Sequence, residues 1–191
     1  MLLPDVRLFR SINNLAGQNA VLDAAGIFAS KYLIYVMAAA ILVPIVLARR
    51  RHRDHVAAAV AACRAYAAAA LGGVGNMLFS MMFFRARPFV TLFDVHRLID
   101  VMPTSKSFPS DHATAAFAMA CSVFLMRPRF GAVLLVLAVF VAAGRVYAGV
   151  HYPTDVISGA VVGCLWAWLI RVLGPRFGEV EQMERLLLGR K

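Results

Sequence analysis

Residues in three separated clusters have the types needed to move a phosphate. Arg87 follows Arg85 and precedes Pro88; Ser110, Asp111 and His112 follow Phe108 and Pro109; Arg145, His151 and Asp155 share one short stretch that begins at Gly144. Arginines are permanently charged and offer planar forks of donors that fit phosphate oxygens, which a lysine meets only as a point charge. Arg87 and Arg145 are therefore the candidate phosphate binders. Ser110 stands where an N-cap would precede a helix, and the free N–H groups and dipole of that helix end favour an anion.

Hydrolysis of a phosphate ester needs an attacking group and a proton donor for the departing oxygen. His112 and His151 can divide those roles. Asp155 lies four residues after His151 with Pro153 between them, so a helix starting near Pro153 turns the carboxylate back toward the imidazole, fixing its tautomer and stabilising its charge. The arginines and the helix end supply the positive field, so the arrangement calls for neither a metal nor a cofactor, and the nearby carboxylates are too scattered for a two-metal site.

Positioning these clusters falls to an all-α integral membrane protein. The chain is 61% hydrophobic and 16% charged, with a mean hydropathy of +0.73, more apolar than a soluble domain can hide. A crossing helix needs about 20 apolar residues. The runs Tyr32–Ala48, Val56–Phe84, His112–Met126, Gly131–Val150 and Asp155–Leu173 are the candidates. Backbone groups cannot go unpaired in hydrocarbon, and the runs lack the alternation of a barrel. A compact bundle of five transmembrane helices is expected, forming a single membrane-embedded domain over residues 1–191, since no linker-like stretch divides the chain.

Ahead of these runs, residues 1–30 read as an interfacial amphipathic segment, with Val6, Leu8, Phe9, Ile12 and Leu15 among Arg7, Arg10, Asn13, Asn14 and Gln18. Gly17, Gln18 and Asn19 should break it, and Val21–Ala29 can dip into the membrane; five crossings or six both fit. Residues 174–191 read as a cytoplasmic tail. The positive-inside rule places Arg49, Arg50, Arg51 and Arg53, then Arg127 and Arg129, then Arg171 and Arg176 in the cytoplasm. Threading the chain then brings the loop Arg85–Ser110 and the turn Arg145–Pro153 together on the outer face. The net charge of +10 thus reads as a topology signal rather than a nucleic-acid footprint, because the basic residues are dispersed between apolar runs.

Several polar residues have plainer readings. Arg85, Arg97 and Arg171 taken singly are snorkelling anchors. His52 and His55 are solvated bystanders of the arginine run, and His96 has no partner in sequence. Tyr147, Tyr152, Phe89 and Phe108 fit interfacial anchors better than substrate-stacking groups. Cys63, Cys121 and Cys164 have neither paired nor metal-ligand spacing. Asp111 fits two roles equally, a helix-end charge or a part in choosing a diphosphate.

The segments "RARPF", "FPSDHAT" and "GRVYAGVHYPTDV" resemble, in order and spacing, the three signature motifs of the type 2 phosphatidic acid phosphatase superfamily. The resemblance implies a phosphohistidine on His151, proton donation by His112, orientation of His151 by Asp155, and phosphate binding by Arg87, Ser110 and Arg145. Asp111 in place of the usual glycine, with the small size and amphipathic start, is similar to the branch of undecaprenyl-diphosphate phosphatases associated with bacitracin resistance. That branch implies a polyprenyl or other phospholipid substrate, action at the outer face of a bacterial plasma membrane, and recycling of the lipid carrier of cell-wall synthesis. Two positions depart from the pattern. Ser80 stands where the first motif usually opens with lysine, leaving Arg85 or Lys106 as substitute cations at the phosphate, and Gly144 stands where a serine commonly precedes the arginine.

Overall fold

The computed structural model describes residues 3–47 and 52–175, so the arginines at 49–51 and the tail from Arg176 onward lie outside the described residues, as does the side chain of Arg53. Within them the regular structure is all helix, with no strand: α1 (Leu3–Asn13), α2 (Ala20–Lys31), α3 (Leu33–Leu47), α4 (His52–Met82), α5 (Pro88–Thr91), α6 (Asp111–Phe124), α7 (Pro128–Tyr147) and α8 (Pro153–Leu173).

Among the described residues, three helices are long and apolar enough to cross a bilayer alone: the stretch His55–Met82 of α4, then α7 and α8. Helices α2 and α3 form a pair bent by 57° that passes the same test together, which makes a fourth candidate. The run expected to cross between His112 and Met126 forms only the 14-residue α6. At 1.5 Å per residue such a helix reaches roughly 21 Å, short of the ~30 Å hydrocarbon core. Its length is limited at one end by the loop that delivers Ser110 and at the other by Pro128, which starts α7.

Helix α6 is the axis of the bundle, wrapped by α4, α7 and α8. Its residues Ala113, Thr114, Ala116, Ala118, Met119, Ala120 and Val123 are all buried, and Ala116, Met119, Ala120 and Val123 join Met37, Ile41, Ala65, Leu134, Ala138 and Val141 in the largest core cluster. Small residues decide how near the neighbours come. A Cβ on Gly163 of α8 would lie 2.4 Å from the Thr114 carbonyl oxygen, and one on Gly159 would lie 2.7 Å from that of Ser110. These glycines therefore let α8 lie against the backbone of α6, the packing that lipid-embedded helices favour. Outside, the pattern inverts: Val161, Leu165, Trp168 and Val172 of α8 and Val133, Val136, Val139 and Phe140 of α7 are exposed, as expected where lipid replaces water as solvent.

The amphipathic start divides as its sequence suggests. Helix α1 ends at Asn13, Gly17 has φ +80°, and Asn19 caps α2 by accepting from the N–H groups of Val21 and Leu22. Helix α1 is no loose surface element, however, since Phe9 is buried against Tyr152 with ring centroids 5.6 Å apart. Asn13, also buried, clamps two segments: its Nδ2 donates to the carbonyls of His96 and Tyr147, and its Oδ1 accepts from the His96 N–H. His96, partnerless in sequence, is thus held through its backbone. Cys121 and Cys164, far apart in sequence, bring their Sγ atoms to 2.8 Å across the α6–α8 contact.

Candidate active site

The N-termini of α6 and α8 and the C-terminus of α7 meet at one end of the bundle, and the loop from 83 to 110 folds over them. Gly149 makes the decisive turn after α7: its φ is +77°, and a Cβ there would lie 2.6 Å from the His96 carbonyl oxygen. The chain can then turn back sharply to deliver His151 before Pro153 starts α8.

His151 is almost wholly buried. Its Nδ1 lies 2.8 Å from the carbonyl oxygen of Ser107. A carbonyl can only accept, so the proton sits on Nδ1 and the lone pair on Nε2. Nε2 in turn faces Arg87 Nη1 at 3.2 Å. Burial first, and then the positive charges of Arg145, Arg87 and His112, push the His151 imidazole well below its ordinary pKa, which favours a neutral ring with its lone pair on Nε2.

Asp155 reaches His151 less directly than its spacing suggests, with Oδ2 at 3.6 Å from Nδ1. The carboxylate is held by others. Oδ2 accepts from the Ser107 hydroxyl at 2.5 Å and the Tyr152 N–H at 2.8 Å, and Oδ1 accepts from Arg85 Nη1 at 2.7 Å. Asp155 thus reaches the ring through Ser107, whose carbonyl accepts the hydrogen bond from His151 Nδ1 and whose hydroxyl donates to the carboxylate.

Arg85, expected as a substitute cation at the phosphate, points the other way. Its guanidinium bridges Asp155 and Asp5, the latter at 2.7 Å, and stacks on the Tyr152 ring at 4.0 Å. Two carboxylates already claim its charge. Asp5 also accepts from the Thr154 N–H and hydroxyl. Burial pushes the Asp5 carboxyl up, but the hydrogen bonds from Arg85 and Thr154 and the charge of Arg85 hold it below its ordinary value. Tyr152, expected at the interface, is fully buried in this layer and its hydroxyl pairs with Thr91.

A cavity of about 370 Å³ opens in front of His151, lined among others by Arg87, His112, Arg145, Asp111 and Lys31. Arg87 is fixed for it: Nε donates to Ser105 and Nη1 to the Val150 carbonyl. Arg145 is anchored by one nitrogen, Nη1, to the carbonyl of Ser30, while its buried Nε has no partner. The buried Ser110 hydroxyl is likewise without a partner and makes no cap bond, although Ser110 is the N-cap of α6. Unsatisfied buried donors are costly, and donors gathered at a helix N-terminus beside two arginines suit an anion. Lys106 is spent, donating to the Pro109 carbonyl and to Asp111 Oδ1, and Asn76 donates to the same Asp111 oxygen. Asp111 therefore faces the cavity with its charge already met.

The two departures from the family pattern now have a structural reading. The Ser80 hydroxyl bonds back to the Met77 carbonyl within α4 and takes no part in the site. Gly144 is a point of close approach: a Cβ there would lie 2.8 Å from the Ser30 N atom, so its bareness admits the end of α2 to Arg145.

The family model of the PAP2 superfamily matches residues 61–179. The chain belongs to that family. It is 33% identical over 179 residues to the bacitracin transport permease protein BcrC of Bacillus licheniformis, covering 94% of this chain and 85% of that one. It is 32% identical over 162 residues to the undecaprenyl-diphosphatase BcrC of Bacillus subtilis, covering 85% and 80%. The crystal structure of LpxE from Aquifex aeolicus superposes with a TM-score of 0.66 at 26% identity, over 88% of this chain and 94% of that one. As a member of this family the protein is a membrane-embedded lipid phosphatase.

Sequence reasoning brought Arg87, Ser110, His112, Arg145, His151 and Asp155 to one end of the bundle, and the structure gathers them there. It missed Asp5, Ser30, Lys31, Ser105 and Ser107. Ser105 and Ser107 lie in the "TSKSF" stretch just before the second motif, where only proximity to Ser110 hinted at them. Asp5, a lone carboxylate in an apolar helix turn, was the stronger unread signal.

Proposed function

We propose that the protein hydrolyses undecaprenyl diphosphate to undecaprenyl phosphate and orthophosphate through a phosphohistidine on His151. The observation that carries the reading is the neutral, buried ring with its Nε2 lone pair directed at Arg87, in a cavity shared with His112 and with the incompletely bonded Arg145.

In the first step Nε2 attacks the terminal phosphorus and the bond to the bridging oxygen breaks. His112 gives its proton to the departing lipid phosphate. Arg87, the Arg145 Nε–H, the Ser110 hydroxyl and the N–H groups opening α6 take up the charge that develops on the transferring oxygens. The positive charge formed on the His151 ring is met through Nδ1 by the Ser107 carbonyl and, beyond it, by Asp155. In the second step water attacks the phosphohistidine, His112 takes the water's proton, and orthophosphate leaves with the His151 lone pair restored.

The topology we propose has five crossings, formed by the α2–α3 pair, α4, the short α6, α7 and α8, in a bacterial plasma membrane with the site on the extracytoplasmic side. Arg127, Arg129 and Arg171 lie at the opposite end of the bundle, which the positive-inside rule assigns to the cytoplasm. The identity to the Bacillus subtilis undecaprenyl-diphosphatase supports the substrate. The same residues would serve phosphatidylglycerol phosphate or phosphatidic acid.

A transport reading is suggested by the name of the Bacillus licheniformis relative. Against it, polar groups outside the site form no line across the bundle among the described residues: Asn76 is spent on Asp111 and Thr114, and Arg64 on Met126 and Pro175 at the far end.

Purified protein and its H151A variant are compared for phosphate release from undecaprenyl diphosphate, undecaprenyl phosphate and phosphatidic acid. The expected result is preference for the diphosphate and a loss of about a thousandfold or more on every substrate in H151A. Undiminished release by H151A would refute the histidine mechanism, and preference for phosphatidic acid would refute the substrate.

A further inference from the structure

We infer that Lys31, at the bend between α2 and α3, is the cation that holds the second phosphate of a diphosphate substrate. The inference rests on the phosphatase reading above.

It begins with the charges around the cavity. The lining holds three cations, Arg87, Arg145 and Lys31, and two carboxylates besides, Asp100 and Asp111. Both carboxylates are compensated by residues outside the lining: Asp111 pairs with Lys106 at 2.7 Å and Asp100 with Arg97 at 2.9 Å. Asp155, behind His151, is matched by Arg85. What faces the cavity is therefore three positive charges without carboxylate partners among the described residues. A phosphomonoester carries about two negative charges at neutral pH, and Arg87 with Arg145 suffices for it. A diphosphate carries one more, and the third cation matches it.

Among the cations near the site, Lys31 is the one left for that task. Arg85 bridges two carboxylates, and Lys106 is bonded to Asp111 and the Pro109 carbonyl. The Lys31 ammonium lies over the ring of its neighbour Tyr32, 5.3 Å from the centroid, which leaves its donors available.

Local structure puts Lys31 there. Gly144 lets the end of α2 approach α7, and the buried Ser30 then accepts from Arg145 Nη1 through its carbonyl. The residue that follows is delivered to the rim beside Arg145. Helix α2 ends at Lys31 before the bend of 57° into α3, and at that bend Lys31 lines the cavity. The second phosphate subsite comprises Lys31 with the adjacent edge of the Arg145 guanidinium. Asp111 bounds it, already neutralised, so it repels the second phosphate little.

The test measures binding of inorganic pyrophosphate and orthophosphate by calorimetry to purified H151A protein, which cannot form the phosphohistidine, and to H151A carrying K31A or K31R. Removal of one charge-assisted contact predicts that K31A weakens pyrophosphate roughly tenfold to a hundredfold. Orthophosphate should weaken by no more than about threefold, and K31R should recover most of the pyrophosphate affinity. Equal weakening of both anions, an unchanged pyrophosphate affinity, or no preference for pyrophosphate in the H151A parent would each overturn the assignment. In parallel, K31A on the active background should lower kcat/KM for polyprenyl diphosphate at least about tenfold more than for phosphatidic acid. Retained hydrolysis in H151A would count against the nucleophile alone, whereas the pyrophosphate comparison bears on Lys31 alone.

Discussion

Replacing Asp155 by asparagine should cost this enzyme far less than the analogous change costs a serine protease. There the carboxylate accepts the imidazole proton directly and fixes its tautomer, and its amide replacement lowers kcat about 10⁴-fold. Here the Nδ1 proton goes to the Ser107 carbonyl at 2.8 Å and Asp155 stands 3.6 Å away. The tautomer therefore survives D155N, and the charge of the carboxylate is what is lost. A unit charge 3.6 Å from the ring would stabilise the cationic phosphohistidine by about 5 kcal/mol at an effective dielectric of about 20. Arg85, bonded to the same carboxylate at 2.7 Å, cancels much of that, leaving about 1.5–3 kcal/mol, or roughly tenfold to a hundredfold in kcat. Asparagine can still accept from Ser107 and Tyr152, so the fold should hold. The assay is kcat for D155N on purified protein, with thermal unfolding as the control. A loss of about 10⁴-fold in a protein of unchanged melting temperature would refute the reasoning and mean that the carboxylate holds the ring directly during turnover.

Two further outcomes follow from the same geometry. R145Q removes the larger of the two arginine charges that hold the His151 pKa down; a nearby cation disfavours the protonated ring, so its loss raises that pKa. The acid limb of kcat/KM, where the nucleophile is lost to protonation as pH falls, should move to higher pH in R145Q, and a limb that stays fixed or moves lower would contradict the electrostatic role. D5A removes a buried carboxylate that accepts from Arg85 and twice from Thr154. We expect about 2–3 kcal/mol of lost stability, read as a melting temperature several degrees lower, together with a kcat lower by about tenfold as Arg85 loses half of its bridge; wild-type behaviour in both would show that α1 does not brace the site.

The convergence of the three clusters was legible because it follows from counting apolar runs and placing arginines, and each cluster borders such a run. Arg87, His112, Arg145 and His151 stand out because arginines and histidines converge at one end of the bundle, whereas an arginine alone at a helix end is an ordinary snorkelling anchor. Ser107 is different in kind. Its contribution to His151 is a carbonyl oxygen, which every residue has, so no side-chain pattern can announce it. Asp5 and Lys31 were unread for another reason: they come from helices expected to lie on the surface, and only the close approach permitted by Gly144 and the pairing of Asp5 with Arg85 bring those helices into the site. The shortness of α6 follows from its place at the centre of the bundle, and it was not legible because hydropathy registers how apolar a run is and not whether neighbouring helices surround it.

The layering of charge explains why one set of cations can serve both binding and nucleophilicity. Behind His151, Asp5, Arg85 and Asp155 form a closed group with donors from Thr154, Ser107 and the Tyr152 backbone. In front, Arg87 and Arg145 have no carboxylate partners among the described residues, and their field, added to burial, holds the ring's pKa down. In the mechanism we propose, an anion entering the cavity cancels that field at the moment the ring must become positive, so the same binding event that positions the phosphorus also relieves the cost of charging the nucleophile. A carboxylate placed directly against Nδ1 would raise the ring's pKa in the empty site and forfeit part of that gain to protonation. The Ser107 carbonyl fixes the tautomer as firmly with only a dipole, and the full charge of Asp155 stays one bond further back.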